Sequence, residues 1–250
     1  MTRFHVIAIL AALLGAVALA LSNATAAIGL LILAMVIAGF GVALPQLRLF
    51  GPFVCRGDVS RRRVALTFDD GPDNQSTPEL LDLLRAERVP VTFFCIGRNV
   101  TAQPELTARI VREGHLLANH TYSHSNATNF FGVEKLVEEM KRTQSAIRDA
   151  AGVTPAFFRP PMGLSNPRVF KAATAVGLRV IGWTARGFDT QCSTSHRIVR
   201  RILRGVEPGA IILLHDGKIP ADRLLATVKL LLAKLRERGY ECVRLDTILT

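Results

Sequence analysis

The chain has 250 residues, 49% of them hydrophobic, and its 31 lysines and arginines against 20 acids give a formal net charge of +11. That length holds one good-sized domain plus an extra segment. The basic balance comes without a nucleic-acid motif and with arginines scattered over many helical patterns, so it reads as a solvated basic surface and not as a nucleic-acid site.

The first 50 residues contain only Arg3 and Arg48 and no acid, so residues 51–250 carry +9. Phe4–Leu21 is an apolar run of 18 residues broken only by His5, and Ala26–Leu44 is a second run of 19 residues with no charge. Each matches the ~20 residues that cross about 30 Å of hydrocarbon. Buried helices of soluble domains are seldom apolar all round for so long. Residues 1–46 are therefore expected to form a transmembrane helical hairpin, turning at Ser22-Asn-Ala-Thr25, and to hold the protein in the cell membrane. A cleaved signal peptide is the competing reading, because Ala24-Thr-Ala26 resembles a small-residue cleavage site; the second run would still anchor the chain. The flanking Arg3, Arg48 and Arg56 favour a cytoplasmic face, but they are few and the turn is neutral, so both orientations stay open.

Residues 47–62 read as a linker and 63–250 as the main domain. Strand-like runs follow at Val64–Phe68, Val91–Ile96, Leu116–Ala118, Ala156–Phe158, Leu178–Trp183, Ala210–Leu214 and Glu241–Leu245. Between them lie helical patterns at Thr77–Arg88, Pro104–Glu113, Val133–Ala150, Asn166–Val176, Ser195–Arg204 and Ala221–Arg238. Alternating strands and helices predict a parallel sheet with βα connections. Gly114, Gly177 and Gly239 fall just after helical patterns, where a C-cap is wanted. Polar residues gather at the carboxyl ends of the strands, where α/β sites are built. Contributions from so many strands, without a Gly-rich phosphate loop, favour a distorted (β/α) barrel of about seven strands. The four cysteines, Cys55, Cys95, Cys192 and Cys242, form no CxxC pair or metal-ligand spacing. Cys95 and Cys242 read as small buried hydrophobes, and a Cys55–Cys242 bridge is compatible with the sequence without being required by it.

The first strand ends in Asp69-Asp70-Gly71-Pro72. Neighbouring strand residues face opposite ways, so the turn must splay the two acids, which suits one metal ligand and one base. The plain alternative is a helix N-cap before Thr77–Arg88. His120-Thr-Tyr-Ser-His124 spaces two imidazoles four apart, which on a helical turn share a face. With Asp70 they make a two-His, one-carboxylate set suited to zinc with an open position, or to another divalent metal such as cobalt, manganese or nickel. Asp69 is then the candidate general base, and Arg159 the cation that holds it ionised. Pro160 and Pro161 lack an N–H, so the Met162 amide is the first donor beyond Arg159 and the candidate oxyanion donor. His215 ends a strand as the candidate general acid, with Asp189 placed to favour its charged form. By themselves His215-Asp216 read as a turn after a strand and Trp183 as a core residue. His5, His115 and His196 fit no set.

Together these residues resemble the polysaccharide deacetylase family, also called the NodB-homology domain or carbohydrate esterase family four. The resemblance covers about residues 60–250 and rests on five short motifs in order: Thr67-Phe-Asp-Asp-Gly-Pro72, His120-Thr-Tyr-Ser-His124, Arg159-Pro-Pro-Met-Gly163, Trp183 with Asp189, and Leu214-His215-Asp216. It implies metal-dependent hydrolysis of an N- or O-acyl group on a glycan. It further implies Asp69 as base, Asp70, His120 and His124 as ligands, His215 as acid, and Trp183 with Leu214 as walls of an acyl pocket. Met162 stands where the family often has an aromatic residue, and the reaction needs only its backbone. The expected partners are an acetylated glycan and a membrane, with no nucleic acid and no obligate protein partner. Two other readings fit the same residues: deacylation or deformylation of a lipid-linked sugar at the membrane face, and a glycan-binding module without catalysis.

Overall fold

The computed structural model describes residues 2–192 and 194–250. Two apolar helices come first, α1 (Arg3–Ala20) and α2 (Ala24–Ala43), packed against each other and otherwise largely bare. Asn23 caps α2, its side-chain oxygen accepting from the Ala26 amide. Both helices are long and apolar enough to cross a membrane.

The main domain then alternates as its apolar periodicity predicts. It runs β1 (Arg63–Asp69), α3 (Ser76–Glu87), β2 (Thr92–Cys95), α4 (Gly97–Ala102), α5 (Pro104–Arg112), β3 (Leu116–Asn119), α6 (Val133–Ala151) and β4 (Phe157–Phe158). It continues through α7 (Pro167–Ala175), β5 (Arg179–Val180), β6 (Ala185–Arg186), α8 (Ser195–Arg204), β7 (Ala210–His215), α9 (Ala221–Glu237), β8 (Glu241–Val243) and α10 (Leu245–Ile248). All strands pair in parallel, in the order β5-β4-β3-β2-β1-β7-β6, with β8 beside β1. Gly114, Gly177 and Gly239 all have positive φ, the left-handed conformation that ends helices.

The expected run Leu178–Trp183 forms a strand only at β5, and a second short strand, β6, follows just beyond it. Strand β5 pairs with β4 at one end of the sheet, and a few residues later β6 pairs with β7 at the other. One short segment thus supplies both ends, and the sheet curls round into a distorted barrel. Residues 47–62 do not hang free. Leu49, Phe50, Phe53 and Cys55 are buried, Val54 bridges Ile181, and Arg56 bridges Ala210. This strap covers the seam. All four cysteines are free thiols, so no Cys55–Cys242 bridge forms; Cys55 and Cys95 are buried and Cys242 is half-buried.

Strand alternation makes two cores. On β1, Val64, Leu66 and Phe68 face the helices with Leu80, Leu84 and Leu231. Ala65 faces the barrel interior with Phe94, Ala118, Phe157 and Ile211. That period carries Thr67 and Asp69 to the interior face as well.

The foot of the hairpin is docked on this barrel. The Phe4 amide donates to the Leu49 carbonyl, and the Phe4 and Phe50 rings lie 5.0 Å apart. The Ser165 amide donates to the Val42 carbonyl, and the Gln46 side chain donates to the Trp183 carbonyl at 2.8 Å.

Gly182 sits where strap and seam meet. A Cβ there would fall 2.7 Å from the Cys55 sulfur and 3.0 Å from the Pro45 side chain. Gly182→Val is therefore expected to lower stability by about 1–3 kcal/mol through overpacking, read as a reduced urea midpoint at unchanged slope.

Candidate active site

The carboxyl ends of β1, β3, β4 and β7 open on a pocket of about 460 Å³, lined among others by Asp69, Asp70, His120, His124, Trp183 and His215. Asp69 reaches it by strand alternation. Asp70 reaches it because its backbone turns left-handed, with φ of 77°. Asp70 does not cap α3; the carboxylate that meets the start of that helix is Asp73, which accepts from the amides of Gln75 and Ser76.

His120 and His124 do not lie on a helix, contrary to the i, i+4 expectation. They follow β3 in an irregular loop with positive φ at Thr121 and His124. The loop brings the rings together all the same, with centroids 4.9 Å apart. It is held by Asn119, whose side-chain oxygen accepts from the Thr121 amide. It is held too by the buried Glu139 of α6, which accepts from the amides of Tyr122 and Ser123 and from the Ser123 hydroxyl.

One oxygen of Asp70 lies 3.6 Å from His120 Nε2 and 3.1 Å from His124 Nε2. One ligand atom from each residue lies within 4.8 Å of the others. His120 Nδ1 is 2.7 Å from the Arg159 carbonyl. A carbonyl only accepts, so Nδ1 carries the hydrogen and Nε2 offers its lone pair inward. Burial, helped by His120 and opposed by Asp70, pushes the His124 imidazole down to about 4. Burial also works against the Asp70 carboxylate, but the surrounding imidazoles of His120, His124 and His215 hold it below the usual range. Asp70 Oδ1 is buried without a hydrogen-bond partner. An orphaned carboxylate oxygen facing two imidazole nitrogens is the donor set that a divalent cation satisfies.

Beside this cluster Arg159 is fully buried. Its guanidinium donates to Asp69 at 2.6 Å, to the Thr67 hydroxyl at 2.9 Å and to the Gly182 carbonyl at 3.0 Å, with Phe94 beneath it. His215 faces the pocket from the end of β7. Its Nδ1 lies 2.9 Å from one Asp189 oxygen, and its backbone amide donates to the other at 2.8 Å. Burial opposes its charge, but the Asp189 contact and the carboxylates of Asp69 and Asp70 outweigh it and raise the pKa.

Met162 lines the pocket with a left-handed backbone, φ 56°, and among the described residues its amide has no acceptor. Gly163 behind it also has positive φ, and a Cβ there would run into the Trp183 ring. Trp183 is a pocket wall, but Leu214 is not. Alternation along β7 sends Leu214 into the helix-facing core and leaves Leu213 on the pocket. Two further acids brace the site, Glu139, which no motif marks, and Asp216, which the sequence shows only as a turn residue after His215. Glu139 is an acid inside the apolar stripe Leu136, Met140, Thr143 and Ile147 of α6, and that misfit was its signal. Asp216 accepts from the hydroxyls of Ser76 and Thr77, tying the end of β7 to the start of α3. Of the unassigned histidines, His115 is a buried acceptor for the Val91 amide, while His5 and His196 are exposed.

Glu139→Gln leaves the ligands intact but weakens the brace on their loop. It is expected to lower the affinity for an added divalent cation about 10–100-fold, measured by competition with a chromophoric chelator.

Known proteins resemble this chain in sequence and in fold. A family profile for polysaccharide deacetylase matches residues 56–181. A chitooligosaccharide deacetylase of Bradyrhizobium sp. is 38% identical over 198 residues, covering 74% of this chain and 90% of that protein. A peptidoglycan-N-acetylglucosamine deacetylase of Bacillus cereus is 34% identical over 192 residues, covering 74% and 87%. Among solved structures, a peptidoglycan N-acetylglucosamine deacetylase superposes with a TM-score of 0.74 at 30% identity, covering 79% of this chain and 92% of that one. A CE4 family pseudoenzyme from Bacillus anthracis superposes with a TM-score of 0.73 at 26% identity, covering 80% and 69%.

Proposed function

We infer that this chain, which belongs to the polysaccharide deacetylase family and is a hydrolase of acetyl amides on polysaccharide, works as a metal-dependent enzyme anchored in a membrane. The observation that carries the metal dependence is the convergence of Asp70, His120 and His124 on the orphaned Asp70 oxygen. The two bare apolar helices support the anchoring. The proposed substrate is an N-acetylated glycan of the chitin or peptidoglycan type.

Asp70, His120 and His124 hold the cation. When bound, zinc or a related divalent ion supplies Lewis acidity, polarising the acyl carbonyl and acidifying water. The other roles belong to the chain's own groups. Asp69, held in place by Arg159, takes the proton of the attacking water at its free oxygen. The Met162 amide, which has no other acceptor, stabilises negative charge on the carbonyl oxygen. His215 Nδ1 bonds to Asp189, so its Nε2 is free to protonate the departing sugar nitrogen. Trp183 and Leu213 shape the space for the acyl group, and the half-exposed Met162 side chain leaves the mouth open to sugar rings. The pseudoenzyme neighbour is a precedent for loss of catalysis in this fold, the premise of the glycan-binding reading. The presence here of the base, the acid and all three ligand residues argues against it.

Acetate release from chito-oligosaccharide or peptidoglycan fragments is expected from the full-length protein. A chelator should abolish it and added zinc should restore it. Asp70→Asn should reduce kcat/KM by at least about 1,000-fold, since the cation provides several kcal/mol of charge stabilisation. Undiminished release in the chelated enzyme and in Asp70→Asn contradicts the metal role.

The pH dependence has a definite sign. The raised His215 pKa means that the native site favours imidazolium. An activity needing that acid is held below the pKa and lost as pH rises through it. Asp189→Asn removes the stabilising charge, so the alkaline limb of the kcat/KM profile is expected to move to lower pH.

A further inference from the structure

Three recesses join at one corner of the pocket. The catalytic pocket shares Arg186, Phe188 and Gln191 with a neighbouring hollow of about 420 Å³ that Arg201 and Arg204 complete. Arg186 and Arg201 also line a third recess, of about 200 Å³, whose far wall is the foot of the hairpin, Ala43 to Gln46. The arginine hollow therefore lies between the catalytic centre and the point where the second apolar helix ends.

The three arginines converge on one hollow. Among the described residues none of them pairs with a carboxylate, although arginines elsewhere on the chain do, such as Arg56 with Glu207 and Arg236 with Glu87. Arg186 and Arg201 both lie against the Phe188 ring, at 4.1 and 5.6 Å from its centre, and Arg201 also contacts the Cys192 sulfur. Stacking on an aromatic face holds a guanidinium in place while leaving its edge N–H groups for an acceptor. Three unpaired cations around one hollow suit a phosphate, which accepts several charge-assisted hydrogen bonds at once.

We propose that Arg186, Arg201 and Arg204 form a phosphate-binding subsite, so that the N-acyl sugar is deacylated while joined through a phosphodiester or pyrophosphate to a membrane lipid. This rests on the deacetylase reading of the adjoining pocket. The sugar occupies the catalytic pocket, its anomeric phosphate lies on the arginines, and the lipid tail passes the hairpin foot into the bilayer. An anionic lipid headgroup offers the same phosphate chemistry, and the experiment separates the two sources.

The full chain in zwitterionic nanodiscs is assayed on three substrates: octyl N-acetylglucosaminyl phosphodiester, the octyl glycoside without phosphate, and soluble chito-oligosaccharide. The phosphodiester should be favoured over the glycoside about tenfold or more in kcat/KM. Arg201→Ala with Arg204→Ala should remove that preference through KM and leave chito-oligosaccharide hydrolysis unchanged. Arg197→Ala with Arg200→Ala changes the same charge on α8 but does not line the hollow, and should keep the preference. No preference in the wild-type, or equal loss in both double variants, overturns the subsite. So does an effect of the arginines that appears only in phosphatidylglycerol nanodiscs and equally with the phosphate-free glycoside, which assigns them to headgroups. If no substrate turns over, the deacetylase reading fails separately. Titration of the phosphodiester into chelator-treated protein still decides the subsite, with weaker binding in the Arg201, Arg204 variant supporting it and equal binding overturning it.

Discussion

A single guanidinium organises this barrel. Arg159 is sealed from solvent, and its donors reach the Asp69 carboxylate, the Thr67 hydroxyl and the Gly182 carbonyl. It thereby joins the end of β4 to β1 and to the seam between β5 and β6. A buried cation is costly unless its charge is matched and its N–H groups are bonded. The match is Asp69, the same group that must stay ionised to accept a proton. The contact that makes the interior tolerable thus also prepares the base. The Arg159 carbonyl extends this control, because it sets the tautomer of His120 and turns the ring's lone pair toward Asp70.

Around that centre the site is assembled from irregular backbone on regular supports. Asp70, His124 and Met162 all have positive φ, which is uncommon for residues with side chains. Each lies in the loop that follows a strand, where its side chain or amide turns into the pocket. Such conformations persist when neighbours over-determine them. Here Asn99 bonds the Asp70 carbonyl, Glu139 bonds the amides before His124, and Gly163 gives way to Trp183 behind Met162.

Much of this was legible in the sequence. The helices from α5 to α9 show strong apolar periodicity, and α8, with Ile198, Val199 and Ile202 as its buried stripe among arginines, could hardly be read otherwise. The strands ending in Asp69 and His215 were marked by apolar runs meeting polar residues. The failures have physical causes. Gly97–Ala102 lacks an apolar stripe, so nothing in it announces α4. The run Leu178–Trp183 gives no hint that its strand stops at Val180 and that the chain pairs again, with β7, from Ala185, since that depends on how far the sheet has curled. His120 and His124 looked helical because spacing alone cannot distinguish a helical turn from a loop braced by a distant acid. Leu214 was placed on the wrong face because a motif names neighbours, whereas the pleat separates them.

The docking of the hairpin foot bears on how this catalyst meets its substrate. Gln46 grips the Trp183 carbonyl and Ser165 grips Val42, so the chain leaves no slack between the last apolar helix and the pocket rim. With the proposed anchoring, the catalytic centre has almost no vertical travel and only lateral diffusion to search with. Strands of glycan a few nanometres deeper in a wall lie beyond its reach, whereas any acceptor confined to the same sheet of lipid is met at a greatly raised local concentration.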